Sequence, residues 1–261
     1  MGNDLKSSLR GKETLIGSIV TLPSTDVAEM MSLVGWDYLW IDTEHATIDF
    51  AQAQRMVQAV GGRCPCLIRI PDNNEVWIKK ALDIGCQGIV VPQVKTAEEA
   101  QRVVDGSLYP PEGKRSVGVS RAHDYGMSFQ EYVQKANESL VIVLQVEHIE
   151  GVNQIEAIAR VPGIDAILIG PLDLSGSLGV IGQIEHPQVQ EAIGKVKRTC
   201  EEAGVSIGIF AAGPVSAKQY IQQGFNLIAL NMDIFYLWQA AKASLEEVRV
   251  GANLRSRSGT D

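Results

Sequence analysis

Two carboxylates stand where a carboxylate is costly to place. Glu147 ends the apolar run VIVLQVE (141–147), and Asp173 follows IDAILIGP (164–171). Each run has the length and β-branched content of a buried parallel strand. An acid at the exit of such a strand loses hydration unless something positive meets it. Two such exits separated by one helical pattern point to two oxygen ligands converging on a divalent cation, although either acid alone also reads as a helix N-cap or half of an ion pair. Arg69, inside CLIRIP (66–71), is the second unusual placement. A guanidinium keeps its charge when buried and needs an anion beside it, either a structural carboxylate or the carboxylate or enolate of a substrate. His45 lies just past YLWID (38–42) and beside Asp42 and Glu44. That setting suits a base working near neutral pH, and equally an ordinary loop histidine. The segment IGPLDLSGSLG (169–179) reads as a Gly-rich turn with backbone N–H groups able to hold a carboxylate.

These residues need elements to position them, and the chain alternates strand and helix patterns from end to end. TLIGSIVTL (14–22), YLWID, CLIRI (66–70), GIVVPQV (88–94), the run ending at Glu147, DAILIG (165–170), VSIGIF (205–210) and LIALNMD (227–233) read as strands. Helical patterns follow them, at about 24–33, 49–60, 74–85, 96–104, 151–161, 186–204 and 214–224, with a last one to about Val248. Thr96 and Glu99 form a capping-box signal, and an irregular stretch, about 108–127, precedes a further helix at 128–137. Eight strand–helix units in one composition regime favour a closed (β/α)₈ TIM barrel, a single domain over 1–261 with a polar tail from about 251, over an open doubly wound sheet. No Gly-x-Gly-x-x-Gly or Walker-type loop supports a nucleotide-binding open sheet. In a barrel the C-terminal strand ends form the active site. They carry Asp42, Glu44 and His45, then Arg69, Gln93 and Lys95, then Gln145, Glu147 and His148, then the turn to Asp173, then Asn231 and Asp233. Period-2 alternation puts Gln145 and Glu147 on one face of their strand, toward the barrel interior, with Leu144 and Val146 toward the helices.

The 261 residues carry a formal charge of −8 and 45% hydrophobic residues. No basic stripe argues for nucleic acid, and no apolar run reaches the ~18 residues that span a membrane. MGNDLKSSLRGKE lacks the apolar centre of a secretory signal. Cys64, Cys66, Cys86 and Cys200 fit no zinc spacing and read as reduced core thiols of a cytoplasmic protein.

The segments IDTEHA (41–46), LIRIP (67–71), VPQV (91–94), YPPEGKRSVG (109–118), LQVEHIEGV (144–152) and IGPLDLSGSLG resemble the HpcH/HpaI aldolase family, the metal-dependent pyruvate aldolases typified by 4-hydroxy-2-oxoheptanedioate aldolase. The resemblance spans about residues 10–248. It implies a homohexamer of barrels that exchange their last helix. It implies Glu147 and Asp173 as ligands of Mg²⁺ or Mn²⁺, with Co²⁺ or Zn²⁺ as alternatives. Arg69 would contact the keto oxygen of pyruvate, Gln145 would help hold pyruvate, and backbone amides near Leu172 and Asp173 would meet its carboxylate. His45 would serve acid/base chemistry with an acid, and Asp42 and Asp83 both match the acidic position. The implied reaction is reversible cleavage of a 4-hydroxy-2-oxo acid to pyruvate and an aldehyde through a metal-stabilised enolate. Aldehyde contacts are expected from Arg115, Val117, Arg121, His123 and Tyr125 in the 109–127 stretch and from Phe210–Pro214, with Arg121 and His123 reading equally as binders of a distal carboxylate or hydroxyls and as residues of a subunit contact. Competing readings are a citrate-forming or citryl-cleaving enzyme on the same scaffold, a Schiff-base aldolase using Lys95, and a non-enzymatic binder.

Overall fold

The computed structural model describes residues 4–251. Strands β1 (Leu15–Val20), β2 (Tyr38–Asp42), β3 (Cys66–Arg69), β4 (Gly88–Val91), β5 (Val141–Val146), β6 (Ala166–Ile169), β7 (Ser206–Ala211) and β8 (Leu227–Met232) pair in parallel in sequence order. β8 returns to β1 and closes the barrel. The helices are α1 (Leu5–Arg10), α2 (Thr25–Ser32), α3 (Phe50–Val60), α4 (Glu75–Asp83), α5 (Ala97–Ser107), α6 (Phe129–Ser139), α7 (Ile149–Asn153), α8 (Ile155–Ile158), α9 (Pro171–Ser177), α10 (Pro187–Ala203), α11 (Pro214–Gln222) and α12 (Asp233–Gly251). Four of them begin where the sequence places a capping side chain: Ser24, Asp49, Asn74 and Thr96 each accept a hydrogen bond from an N–H of the first turn. The tail expected from about residue 251 lies outside the described residues.

Alternation along each strand sorts side chains into two apolar shells. Leu39, Ile41, Leu144, Val146, Ile167 and Ile169 face the helices. Leu15, Ile19, Tyr38, Trp40, Leu67, Val143 and Leu168 fill the barrel. Gly17 makes room for the Tyr38 ring, which would stand 2.5 Å from a Cβ at that position. Each such aliphatic side chain stabilises the fold by about 1.5–3 kcal/mol relative to exposure, so the interior is a packed plug that leaves chemistry to its ends. At the upper end the inward positions turn polar, because Asp42, Arg69, Gln145 and Glu147 follow Trp40, Leu67 and Val143 on the same faces.

The lower end, where the strands begin, is closed by α1. Asp4 caps this helix, Leu5 and Leu9 pack onto the inner shell, and the Lys6 ammonium donates to the Leu140 carbonyl at 2.6 Å. Lys6 also lies 3.3 Å from Asp165, with both side chains 5% exposed. The strand and helix patterns read from the sequence do not include this plug. Two other expectations change. The 169–179 segment is not a turn alone but the helix α9, started by Pro171 at its first position. The pattern at 151–161 is two short helices, α7 and α8, with a break at Gln154.

Candidate active site at the barrel mouth

Strand register brings Asp42 and Arg69 side by side as paired residues of β2 and β3. Arg69 donates from Nε to Asp42 Oδ1 at 2.9 Å and from Nη2 to Oδ2 at 2.7 Å, a two-pronged contact. Asp42 Oδ1 also accepts from the backbone N–H groups of Glu44 and His45. Burial pushes the Asp42 carboxyl upward, but Arg69 and those amides outweigh it and hold the group below its usual range. The Arg69 guanidinium lies 4.8 Å over the Trp40 ring. Thr43 fixes the backbone of the same residue, its hydroxyl donating to the Arg69 carbonyl at 2.5 Å. The remaining edge of the fork is free for the mouth, with Nη1 3.5 Å from Gln145 Oε1.

Glu147 follows β5 and is 3% exposed. Its Oε2 accepts from the Gln145 amide, and its Oε1 accepts from the Gln93 N–H at 3.1 Å. Gln93 takes φ +55° to present that N–H, a left-handed conformation that a non-glycine residue adopts at some cost. Gly170 is required opposite, because a Cβ there would stand 2.6 Å from Glu147 Oε2. Burial, then the charges of Asp173 and Glu44, raise the Glu147 carboxyl to about 7. Asp173 stands in the first turn of α9.

Glu44 joins this group. The sequence placed it at the strand exit without a role. Its Oε2 lies 3.1 Å from Arg69 Nε, yet the single Nε proton is already given to Asp42, so the oxygen is buried with no hydrogen bond. Burial raises the Glu44 carboxyl, opposed by Arg69 and His45 and reinforced by Asp42 and Asp173. The His45 ring is 66% exposed, with Nε2 3.7 Å from the same Glu44 oxygen. Four carboxylates thus share the mouth with one guanidinium and one imidazole.

That surplus fits a hard divalent cation. Among the described residues no three His, Cys, Asp or Glu side chains form a protein-only cage. Glu147 and Asp173 offer two oxygens, Glu44 adds an unpartnered one nearby, and the remaining positions are left to substrate and water. Mg²⁺ and Mn²⁺ favour such incomplete oxygen sites.

Other expected residues lie elsewhere. Asp83 ends α4, and helices of the barrel run against the strands, so it sits at the lower end, 2.9 Å from Arg115 Nη2. It does not meet His45 of its own chain. The 108–140 segment connects a helix to the next strand, so it too lies below. Arg115 is buried there against Asp83 and Tyr109, and His123 is buried with Nε2 2.7 Å from the Gly118 carbonyl. Within one chain, then, Arg115, Val117, Arg121, His123 and Tyr125 do not reach the mouth. Phe210 does, on an inward position of β7. Lys95 lies beyond the end of β4, its backbone N–H donating to Glu99 at the cap of α5. Asp233 is absorbed by the fold, accepting from the N–H groups of Thr21 and Leu22. A cavity of about 630 Å³ opens at the lower end between α1 and the strand starts, so cavity size does not mark the chemistry.

A closed parallel barrel with an acidic mouth and a buried arginine suits a lyase that stabilises an oxyanion beside a breaking carbon–carbon bond. The chain belongs to the HpcH/HpaI aldolase/citrate lyase family, whose model matches residues 16–240. It is 36% identical over 255 residues to hydroxypyruvate/pyruvate aldolase of Paraburkholderia phytofirmans, covering 95% of this chain and 98% of that protein. A family structure from Burkholderia cenocepacia superimposes with a TM-score of 0.92 at 36% identity, covering 95% of this chain and 99% of the other. The citrate synthase SbnG gives 0.86 at 27% identity, covering 95% and 98%. The protein is accordingly a carbon–carbon lyase of the aldolase type.

Proposed function

We propose that this enzyme reversibly cleaves a 4-hydroxy-2-oxo acid to pyruvate and an aldehyde, using a divalent metal ion held by Glu147 and Asp173. One observation carries the reading: four carboxylates crowd the mouth around a single guanidinium, and burial with two acidic neighbours raises Glu147 to about 7. When bound there, Mg²⁺, Mn²⁺ or a similar ion supplies Lewis acidity toward the 2-oxo group. Arg69, clamped by Asp42 and Trp40, presents its free edge to the oxygen that gains charge as C3 becomes an enolate. Gln145 orients the pyruvyl group, and the first-turn N–H groups of α9 at Leu172 and Asp173 face its carboxylate. His45 takes the proton of the C4 hydroxyl during cleavage and returns it in synthesis.

Of the two acids matched to the assisting role, Asp42 is committed to Arg69, and Asp83 reaches a His45 only from a second copy. Assembly supports the latter. Helix α12 exposes Leu237, Trp238, Leu245 and Val248, and α2 together with the residues after it exposes Met30, Leu33 and Val34. Apolar faces of that extent favour burial against other subunits, in a homohexamer with α12 exchanged. The free thiols and the absence of any helix long and apolar enough to cross a membrane among the described residues fit a cytoplasmic enzyme.

A panel of 4-hydroxy-2-oxo acids assayed for pyruvate release tests the reading. Release should need Mn²⁺ or Mg²⁺ and stop in excess EDTA. Full activity in EDTA, or a borohydride-trapped adduct on Lys95, overturns it. The likeness to SbnG favours one second reading, citrate formation. Turnover of oxaloacetate with an acyl-CoA, and none of the oxo acids, would establish it instead.

A further inference from the structure

Strand β8 carries one residue more than its neighbour at the mouth. Ile16 and Gly17 of β1 pair with Ile228 and Ala229, but Ile19 pairs with Met232, so β8 advances further than β1 between these pairs. This is a β-bulge at the barrel rim, where bulges re-aim side chains. Leu227, Ala229 and Met232 all meet the inner shell, which leaves Asn231 as the residue out of step. It takes φ +50°. Asparagine tolerates that left-handed conformation, but glycine adopts it more freely, so the conformation alone does not call for a carboxamide. Asn231 is 5% exposed. Its Oδ1 accepts from the Met232 N–H at 2.9 Å, and its backbone carbonyl accepts from Ser18 Oγ at 3.3 Å. These contacts come from its own barrel and fix which end of the amide is oxygen. The two Nδ2 protons meet no acceptor among the described residues of the chain. Asn231 lines a cavity of about 570 Å³ together with Leu172, whose N–H faces the pyruvyl carboxylate in the chemistry above.

We infer that Asn231 is a specificity residue whose Nδ2 donates to an oxygen on the carbon next to the aldehyde group. The inference rests on the aldolase reading above and adds a polar contact to that site. In that reading the carboxylate of the pyruvyl part is met by the start of α9, its 2-oxo oxygen by the cation and Arg69, and the C4 hydroxyl by His45 beyond β2. The oxygen left for a donor on β8 is one carried beyond C4, by the carbon that neighbours the aldehyde group in the free acceptor. A site that hydrogen-bonds such an oxygen discriminates against the analogue lacking it, because its own buried donor is then left unpaired. The donor is aimed by β8 itself, so the contact does not depend on what a second copy adds to the mouth.

The test uses the purified, Mn²⁺-loaded protein with pyruvate and two pairs of aldehydes of matched shape: glycolaldehyde with propanal, and methoxyacetaldehyde with butanal. Comparing each pair between wild type and variant cancels the intrinsic reactivity of the aldehydes. Asn231→Gly keeps the backbone conformation and removes the amide, and should lower the glycolaldehyde-to-propanal ratio of kcat/KM by about tenfold. Asn231→Asp keeps the acceptor for the Met232 N–H but turns the donor into an acceptor. It should lower the methoxyacetaldehyde-to-butanal ratio by about tenfold, because an ether oxygen has no proton to give a carboxylate. Melting curves establish that each variant is folded, and if N231G is not, N231D decides. Exchange of wild-type pyruvate C3 protons with deuterium, measured without aldehyde, reports enolisation alone. If exchange proceeds but wild type turns over glycolaldehyde no better than propanal, the inference is wrong and the aldolase reading stands. An unchanged ratio in either folded variant also overturns it, and unfolding of both assigns Asn231 to the fold instead. Absence of exchange overturns the aldolase reading, and the inference with it.

Discussion

The two ends of the barrel handle buried charge in opposite ways. At the lower end two buried cations each face one acid: Lys6 faces Asp165, and Arg115 faces Asp83, although the Arg115 Nε makes no hydrogen bond. At the mouth Asp42, Glu44, Glu147 and Asp173 face one Arg69, and one Glu44 oxygen is left without a hydrogen bond. A paired buried charge holds elements together, whereas an unpaired surplus costs stability and persists where a ligand will balance it. The contrast separates residues that serve the fold from residues that serve the reaction, although all of them are acids or bases in a hydrophobic barrel.

The largest expected effect follows from Glu147→Gln. Activity should fall at least about a thousandfold, because one of two ligands to the cation is lost. Thermal stability of the metal-free protein near neutral pH should rise, since a crowded carboxylate has been neutralised. Loss of stability together with retained activity would place Glu147 with the lower-end residues. Arg69→Lys should lower kcat by about two decades, equivalent to ~3 kcal/mol of lost charge stabilisation, because an ammonium cannot keep both Asp42 contacts and the free edge. Steady-state kinetics beside a melting curve separates that from unfolding. Lys6→Met should behave in reverse. It leaves Asp165 buried without its cation and should cost roughly 3 kcal/mol of stability, with activity per folded molecule unchanged.

The smallest effect is on pH. Glu147 is raised from 4.5 to about 7. Between those values the folded metal-free chain keeps a proton that the unfolded chain releases, so its stability declines as pH rises through this window. A cation must displace that proton. Its affinity should therefore weaken as pH falls below about 7, and the rise in melting temperature on adding Mn²⁺ should be larger at about pH 8 than at about pH 5.5. A shift independent of pH would show that Glu147 does not bind the ion.

Much of this was legible in the sequence. The eight strands stand out because parallel strands buried on both faces leave continuous β-branched runs. Arg69, Gln145 and Glu147 stand out because they interrupt such runs at their exits. What escaped depended on three-dimensional return. The stretch after α5 lies at the lower end of its own barrel, as any segment between a helix and the following strand does, so an aldehyde contact from it requires a second copy. The same rule sends Asp83 away from its own mouth, and a resemblance between acidic positions carries no information about which end they occupy. Glu44 was visible at the end of β2, but its unpartnered oxygen depends on how Asp42 takes the Arg69 Nε proton. Helix α1 escaped because a six-residue helix has little periodicity to show, although Asp4 as its cap and Leu5 and Leu9 four apart were a signal.

The central claim is that the unbalanced charge of the mouth serves a cation-assisted enolisation. Exchange of pyruvate C3 protons with solvent deuterium, followed by proton NMR, tests it most directly because no aldehyde need be known. The account predicts fast exchange with Mn²⁺, none above background in EDTA, and none in Glu147→Gln under either condition. It also predicts slow exchange in Arg69→Lys with Mn²⁺ present. Exchange at the full rate in EDTA, or in the metal-supplied Glu147→Gln protein, would contradict it.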